Sequence, residues 1–213
     1  MAGTLGVLVA GGAGRRLGRG TPKALVEVAG RTLLERALAT LGAACDEVIV
    51  AAPAALELPA LDAMRVADVP GAAGPLAGVV AGLAARRFER ALVLGVDFPL
   101  MQSGALAKLR DMVGDEVALV PAPGGRPQPV AAVYRPGAAA ALAAALARGE
   151  RALTTAVMAL GPRVLTDAEL ETLEGGLDNF FNVNTREDLA EAERRLGRAP
   201  DVSPGGMSRR VPA

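Results

Sequence analysis

The stretch Leu5-Gly-Val-Leu-Val-Ala-Gly-Gly12 decides the reading of the chain. An apolar run without polar alternation, halted by paired glycines, is the pattern of a short strand over residues 5–10 buried on both faces, and such strands belong to parallel sheets. The segments outward from it agree. Thr32-Leu-Leu-Glu35 reads as a capping box opening a helix to Leu41, with Gly42 as its stop. Residues 48–52 form a second buried strand and 64–67 a short third, while 75–87 is an apolar helix with proline in its first turn. Residues 91–96 are again an apolar strand, ended by Asp97-Phe98-Pro99. Ser103 is expected to cap a helix through Val113, and 117–120 and 130–134 read as strands separated by a turn-rich 121–129. The alanine-rich 138–147 is helix-forming, a shorter helix follows over 153–160, and 180–184 reads as a strand or extended edge. Thr185-Arg-Glu-Asp188 then opens a last helix to about Leu196. Strands alternating with helices of roughly 8–14 residues predict an α/β fold, a single-domain three-layer α/β/α structure around a mostly parallel sheet. Ligands of such sheets bind beyond the carboxyl ends of the strands, which directs attention to 11–23, the residues after 52, 68–74 and Asp97.

Composition narrows the chemistry. The chain has 213 residues, 51% hydrophobic and 22% charged, which is enough for one core over residues 1–197, followed by a Pro-, Gly- and Ser-rich tail over 198–213 expected to be flexible. Lys and Arg balance Asp and Glu at 23 each, and aromatics are only 2%, so neither a nucleic-acid surface nor a base-stacking platform is expected. There is no histidine, which removes Ser-His-Asp triads, Cys-His nucleophiles and His-ligated zinc within the chain. Cys45 is the single cysteine, and with no apolar segment of spanning length we expect no membrane association and a cytoplasmic location. The chemistry left runs on carboxylates, amides, Lys and Arg, backbone N–H groups and a hard metal ion.

Four places hold those groups. Gly11, Gly12 and Gly14 at the end of the first strand let backbone N–H groups approach an anion, and Arg15, Arg16 and Lys23 add the charge to hold several phosphates; a glycine-rich turn with solvated arginines is the competing reading. A dinucleotide fingerprint fits less well, because the second strand ends in Ala51-Ala52-Pro53 without an acidic residue, and no Gly-Lys-Ser/Thr makes a P-loop. Asp97 stands at the end of its strand, where a carboxylate holds Mg²⁺ or closes an Asx turn. Asp68 follows the third strand and orients a base or ribose in the same topology. Asn182 and Asn184 alternate about Val183, which puts both amides on one face, either for a metal or substrate or for loop backbone.

The motifs Val9-Ala-Gly-Gly-Ala-Gly-Arg-Arg-Leu-Gly18 with Lys23, Gly74-Pro-Leu-Ala-Gly78, Gly95-Val-Asp-Phe-Pro99, Gly149-Glu-Arg151 and Phe181-Asn-Val-Asn-Thr185 together resemble the molybdenum cofactor guanylyltransferases over residues 5–196. The resemblance implies the Rossmann-like nucleotidyltransferase fold and transfer of GMP from GTP to the terminal phosphate of molybdopterin, with pyrophosphate released. It implies that Val9, Ala10 and Gly11 contact the guanine nucleotide, that Gly12 through Arg16, with Gly14 and Arg15 among them, surround its phosphates, and that Lys23 binds the triphosphate. Asp68 would contact the nucleotide, Asp97 would carry Mg²⁺, and Asn182 and Asn184 would serve the pterin substrate, Asn184 also completing the metal site. Arg15, Lys23 and Asp97 are then the catalytic set, and the product's receivers are molybdoenzymes or their chaperones. Two positions depart from the family pattern: Ala51 stands where an asparagine is common, and Pro22 where an aspartate precedes the lysine. Loss of the Ala51-position amide is expected to loosen base discrimination. The alternatives are a cytidylyl- or other nucleotidyltransferase acting on the same pterin or on a sugar or polyol phosphate, and a non-catalytic nucleotide-binding carrier.

Overall fold

The computed structural model describes residues 3–11, 21–69 and 71–197. In chain order the elements are β1 (Thr4–Val9), β2 (Glu27–Val28), β3 (Arg31–Thr32), α1 (Leu33–Ala44), β4 (Glu47–Ala52), β5 (Met64–Ala67), α2 (Pro75–Ala84), β6 (Arg90–Gly95) and α3 (Ser103–Met112). They continue as β7 (Ala118–Pro121), β8 (Ala131–Tyr134), α4 (Pro136–Ala147), α5 (Leu153–Met158), β9 (Arg163–Leu165), α6 (Asp167–Leu170) and α7 (Arg186–Leu196). Seven strands form one sheet in the order β5-β4-β1-β6-β8-β7-β9, and β2 and β3 make a separate two-stranded ribbon. β1 pairs in parallel with both β4 and β6, β4 with β5, and β7 with β9. β8 runs antiparallel to its neighbours β6 and β7.

Alternation along the central strands sorts the core into two layers, as the unbroken apolar runs require. Val7, Val9, Ile49 and Val93 face a cluster closed by α2, α4 and α5, whereas Leu8, Val50, Leu92 and Leu94 face one closed by α1 and α3. These clusters are built largely from Ala, Val and Leu. Tyr134, the chain's single tyrosine, is fully buried, and its hydroxyl donates to the Pro129 carbonyl at 2.6 Å. Cys45 ends α1 half-buried, and burial pushes its thiol up to about 12.

Local sequence explains most boundaries and corrects several expectations. Thr32 and Glu35 form the anticipated capping box, but α1 continues through Gly42 to Ala44, because a glycine inside a helix weakens it without ending it. α2 stops at Ala84, three residues early. Ser103 is the first residue of α3 rather than its cap; Gln102 holds the cap position, and its N–H donates to Asn179 Oδ1 at 2.9 Å. Residues 180–184 join no strand: a 3₁₀ turn over Gly176–Phe180 leads into chain attached to the sheet end by the Val183 N–H, which donates to the Asp97 carbonyl at 2.9 Å. The ribbon β2–β3, the edge strand β9 and the capped single turn α6 are additional to the sequence reading. The expected tail over 198–213 lies outside the described residues.

Gly149-Glu-Arg151 serves the joint between two helices. The Glu150 carboxylate accepts from the Arg151 and Ala152 N–H groups ahead of α5, and the Arg151 guanidinium donates to Leu146 O in the last turn of α4. The fully buried Asn179 similarly docks the approach to residues 180–184: besides accepting from Gln102, its amide nitrogen donates to Glu174 O at 2.7 Å and Gly176 O at 2.8 Å. Asn179→Ala leaves one part-buried N–H and two carbonyls without their partner, so a loss of about 1–3 kcal/mol in urea unfolding with an unchanged m-value is expected.

Candidate active site

Three residues distant in sequence meet beyond the carboxyl end of β6. The Lys23 ammonium donates to Asp97 Oδ2 at 3.0 Å and to Asn184 Oδ1 at 2.8 Å. Each partner is held by its own segment. Lys23 begins a 3₁₀ turn whose cap residue is Pro22, with the Leu25 N–H donating to Pro22 O, so the proline shapes the turn that presents the lysine. Asp97 follows β6 in the first residues that leave the sheet. Its carboxylate fits because residue 95 is glycine: a Cβ there would lie 2.5 Å from Asp97 Oδ1 and 3.5 Å from Val130 Cγ2.

Asn184 is positioned by the start of α7. The Asp188 carboxylate accepts from the Asn184 N–H at 2.9 Å and the Thr185 N–H at 2.8 Å, while the Thr185 hydroxyl accepts from the Asp188 N–H. Burial pushes the Asp188 carboxyl up, but the N–H groups of Asn184 and Thr185, the Thr185 hydroxyl and the Lys23 charge outweigh it and leave the group below its ordinary 3.8. The Asn184 amide nitrogen donates to Asn182 Oδ1 at 2.5 Å, so the two amides do share a face, with Asn182 orienting the neighbour whose oxygen meets Lys23. Asp188 and Gly95 stand in stretches the sequence marks, but their positioning roles were not assigned from it; the Thr185-x-x-Asp188 spacing carried the first, since a capping box there fixes the residue just before it.

A carboxylate oxygen and an amide oxygen already converge on one positive nitrogen. This donor chemistry fits Mg²⁺, which takes oxygen ligands and typically few from protein, leaving places for phosphate and water. Among the described residues no group of three or more Asp, Glu, His and Cys side chains gathers to hold a metal, here or elsewhere, so the protein's share of a Mg²⁺ shell at this site is one carboxylate and one amide oxygen.

A second feature opens over the ends of β1, β4 and β5: a cavity of about 550 Å³ walled by Pro53, Ala54 and Ala55 on one side and Gly74 and Pro75, at the start of α2, on the other. Val9, Gly11 and Asp68 also line it, and Asp68 is the one charged side chain among the described lining residues. Burial raises the Asp68 carboxyl above its usual value. A Cβ on Gly78 would stand 3.4 Å from Asp68 Oδ1 and 3.4 Å from Val9 Cγ1, so the glycine leaves the carboxylate its place. Ala10 does not line the cavity; its methyl is buried in the α1 layer, and its N–H donates to Ala51 O. Ala51 itself is fully buried in the α2 layer, 3.8 Å from the same Gly78 position and off the lining. Gly12, Gly14, Arg15 and Arg16 lie outside the described residues.

Comparison with known proteins gives a consistent result. Residues 6–164 match the family model described as the MobA-like NTP transferase domain. A probable molybdenum cofactor guanylyltransferase of Chloroflexus aggregans is 38% identical over 200 residues, 90% of this chain and 94% of its own length. The molybdenum cofactor guanylyltransferase of a Bradyrhizobium strain is 34% identical over 199 residues, 89% of this chain and 91% of its own. Among solved structures, molybdopterin-guanine dinucleotide biosynthesis protein A of Archaeoglobus fulgidus superimposes with a TM-score of 0.77 at 24% identity, covering 92% of this chain and all of its own, and so shares the fold.

Two outcomes test the site geometry. Gly95→Ala is expected to keep the fold and displace the Asp97 carboxylate, lowering turnover about tenfold or more while circular dichroism stays unchanged. Asp188→Ala removes a cap and is expected to cost about 1 kcal/mol at neutral pH. Because the Asp188 pKa is depressed in the folded state, its contribution is present above 3.8 and is lost as pH falls through the lower folded value, so parent and variant should converge in thermal melts at acid pH.

Proposed function

We propose, given that this chain belongs to the MobA-like NTP transferase family, that it transfers GMP from GTP to the terminal phosphate of molybdopterin and releases pyrophosphate. The carrying observation is the meeting of Lys23, Asp97 and Asn184 beyond β6, beside a cavity of nucleoside size over β1, β4 and β5. A nucleotide bridging the two places its base over Asp68 and its phosphates toward Lys23.

In the transfer, a phosphate oxygen of the acceptor forms the new bond to the α-phosphorus as the bond from that phosphorus to the bridging oxygen breaks, and the electron pair leaves with pyrophosphate. An acceptor phosphate is already ionised near neutrality, so the absence of histidine removes nothing the step needs. The protein's work is positioning and charge. Lys23 faces the leaving phosphates, Asp97 and Asn184 present two oxygens at the point of transfer, and Asp188 keeps Asn184 in place. Asp97 and Asn184 would hold Mg²⁺, which when bound would supply neutralisation of charge on the phosphoryl oxygens. The family resemblance assigns Arg15, which lies outside the described residues, to the triphosphate, and Asn182 to the pterin substrate. Among the described residues no helix is long and apolar enough to cross a membrane. The proposed reaction, which makes a cofactor for molybdoenzymes, is the ground on which we assign a cytoplasmic location and molybdoenzymes or their chaperones as receivers of the product.

Pyrophosphate release with Mg²⁺, molybdopterin and each of GTP, CTP, ATP and UTP tests this reading. Release with GTP alone is expected; preference for CTP, or silence with all four, overturns it. Asp97→Ala should lower turnover about 10²–10³-fold with little change in melting temperature. Lys23→Ala should instead weaken GTP more than GMP, read by calorimetry, because the lost charge faces the leaving phosphates.

A further inference from the structure

The cavity wall made by residues 53–55 has little internal structure to hold its shape. It leaves β4 as a turn closed by the Leu56 N–H donating to Pro53 O at 3.0 Å, and residues 55–61 form no helix or strand. Its backbone carbonyls are gathered from outside by one side chain. Arg65, paired across the sheet with Val50, sends its guanidinium over the end of β4, where Nη2 donates to Pro53 O at 2.7 Å and Leu56 O at 2.6 Å, with Ala54 O at 3.4 Å. The two hydrogens of this one amino group are spent on Pro53 O and Leu56 O, the two short contacts, and fixing those carbonyls removes the entropy that a ligand would otherwise have to remove on binding.

From this geometry we infer that Arg65 is a positioning residue for nucleotide recognition, acting through the 53–56 turn to hold the nucleoside side of the cavity ready for a purine nucleotide. The inference rests on the reading of that cavity as the base end of the site. It places the effect of Arg65 on the nucleoside alone. Pro53, Ala54 and Ala55 wall the cavity with Asp68, whereas the phosphate end is marked by Lys23 and Asp97, beyond the neighbouring strand β6. Arg65 is exposed on the edge strand β5, so its removal takes little from the core.

The test compares the parent with Arg65→Ala and Arg65→Lys, measuring calorimetric Kd for GTP, GMP and inorganic tripolyphosphate with Mg²⁺, and melting temperature. For Arg65→Ala, GTP and GMP are expected to weaken by the same factor, about tenfold, with tripolyphosphate unchanged. In turnover the same variant should raise KM for GTP about tenfold and leave kcat within about twofold. Arg65→Lys, which keeps a charged donor but on a shorter side chain with less reach to Pro53 O and Leu56 O, should fall between, and it carries the test if the alanine variant does not fold. Unchanged GTP and GMP affinity overturns the inference, as does equal weakening of tripolyphosphate, which marks a general loss of structure. If the parent binds tripolyphosphate but no nucleotide more tightly, the base-end reading itself fails, and the role of Arg65 falls with it.

Discussion

One ammonium group organises the functional end of this protein. Lys23 lies 74 positions from Asp97 and 161 from Asn184, yet its nitrogen is within 3.0 Å of an oxygen from each. Two oxygens turned toward the same point repel unless a cation stands between them, so the convergence depends on the charge at its centre. The pair is only partly exposed, at 11% for Lys23 and 21% for Asp97, which weakens screening by water relative to a surface bridge. Much else nearby serves that point: Gly95 leaves the carboxylate its space, the Val183 N–H ties the last segment to Asp97, and the cap of α7 fixes Asn184.

Sheet order then separates two tasks. The cavity with Asp68 lies over β5, β4 and β1, and the charged cluster lies beyond β6 on the other side of β1. A ligand spanning both must cross the end of β1, where Gly11 keeps the backbone approachable. Wall and charge can therefore be altered independently, because they rest on different strands.

The central fold was legible because the apolar runs lack alternation, and that absence itself specifies a sheet covered on both faces. Direction was harder to read, but β7 and β8 carried a signal: the connection over 122–130 is shorter than the dozen or more residues of a parallel crossover, so β8 had to run antiparallel. Thr166-Asp-Ala-Glu169 was likewise a legible capping box for the single turn α6. Residues 180–184 misled for a physical reason. Their alternation is that of a strand, but their hydrogen bonds go to a loop carbonyl and side chains rather than to a ladder. At the site, residue types announced Lys23, Asp68 and Asp97; Gly95 stood in a motif but its reason, the space it leaves the Asp97 carboxylate, is a distance, and the carbonyl contacts of Arg65 follow no one-dimensional pattern.

The half-buried Cys45 at the end of α1 has a practical reach beyond its packing. With its thiol raised to about 12, the reactive anion is only on the order of 10⁻⁴ of the population at pH 8. A chain whose single native sulfhydryl is this quiet is nearly its own cysteine-free background. A thiol introduced on an exposed wall residue such as Ala54 then takes a fluorophore selectively, turning the movement of that wall on nucleotide arrival into an optical signal without further engineering of the scaffold.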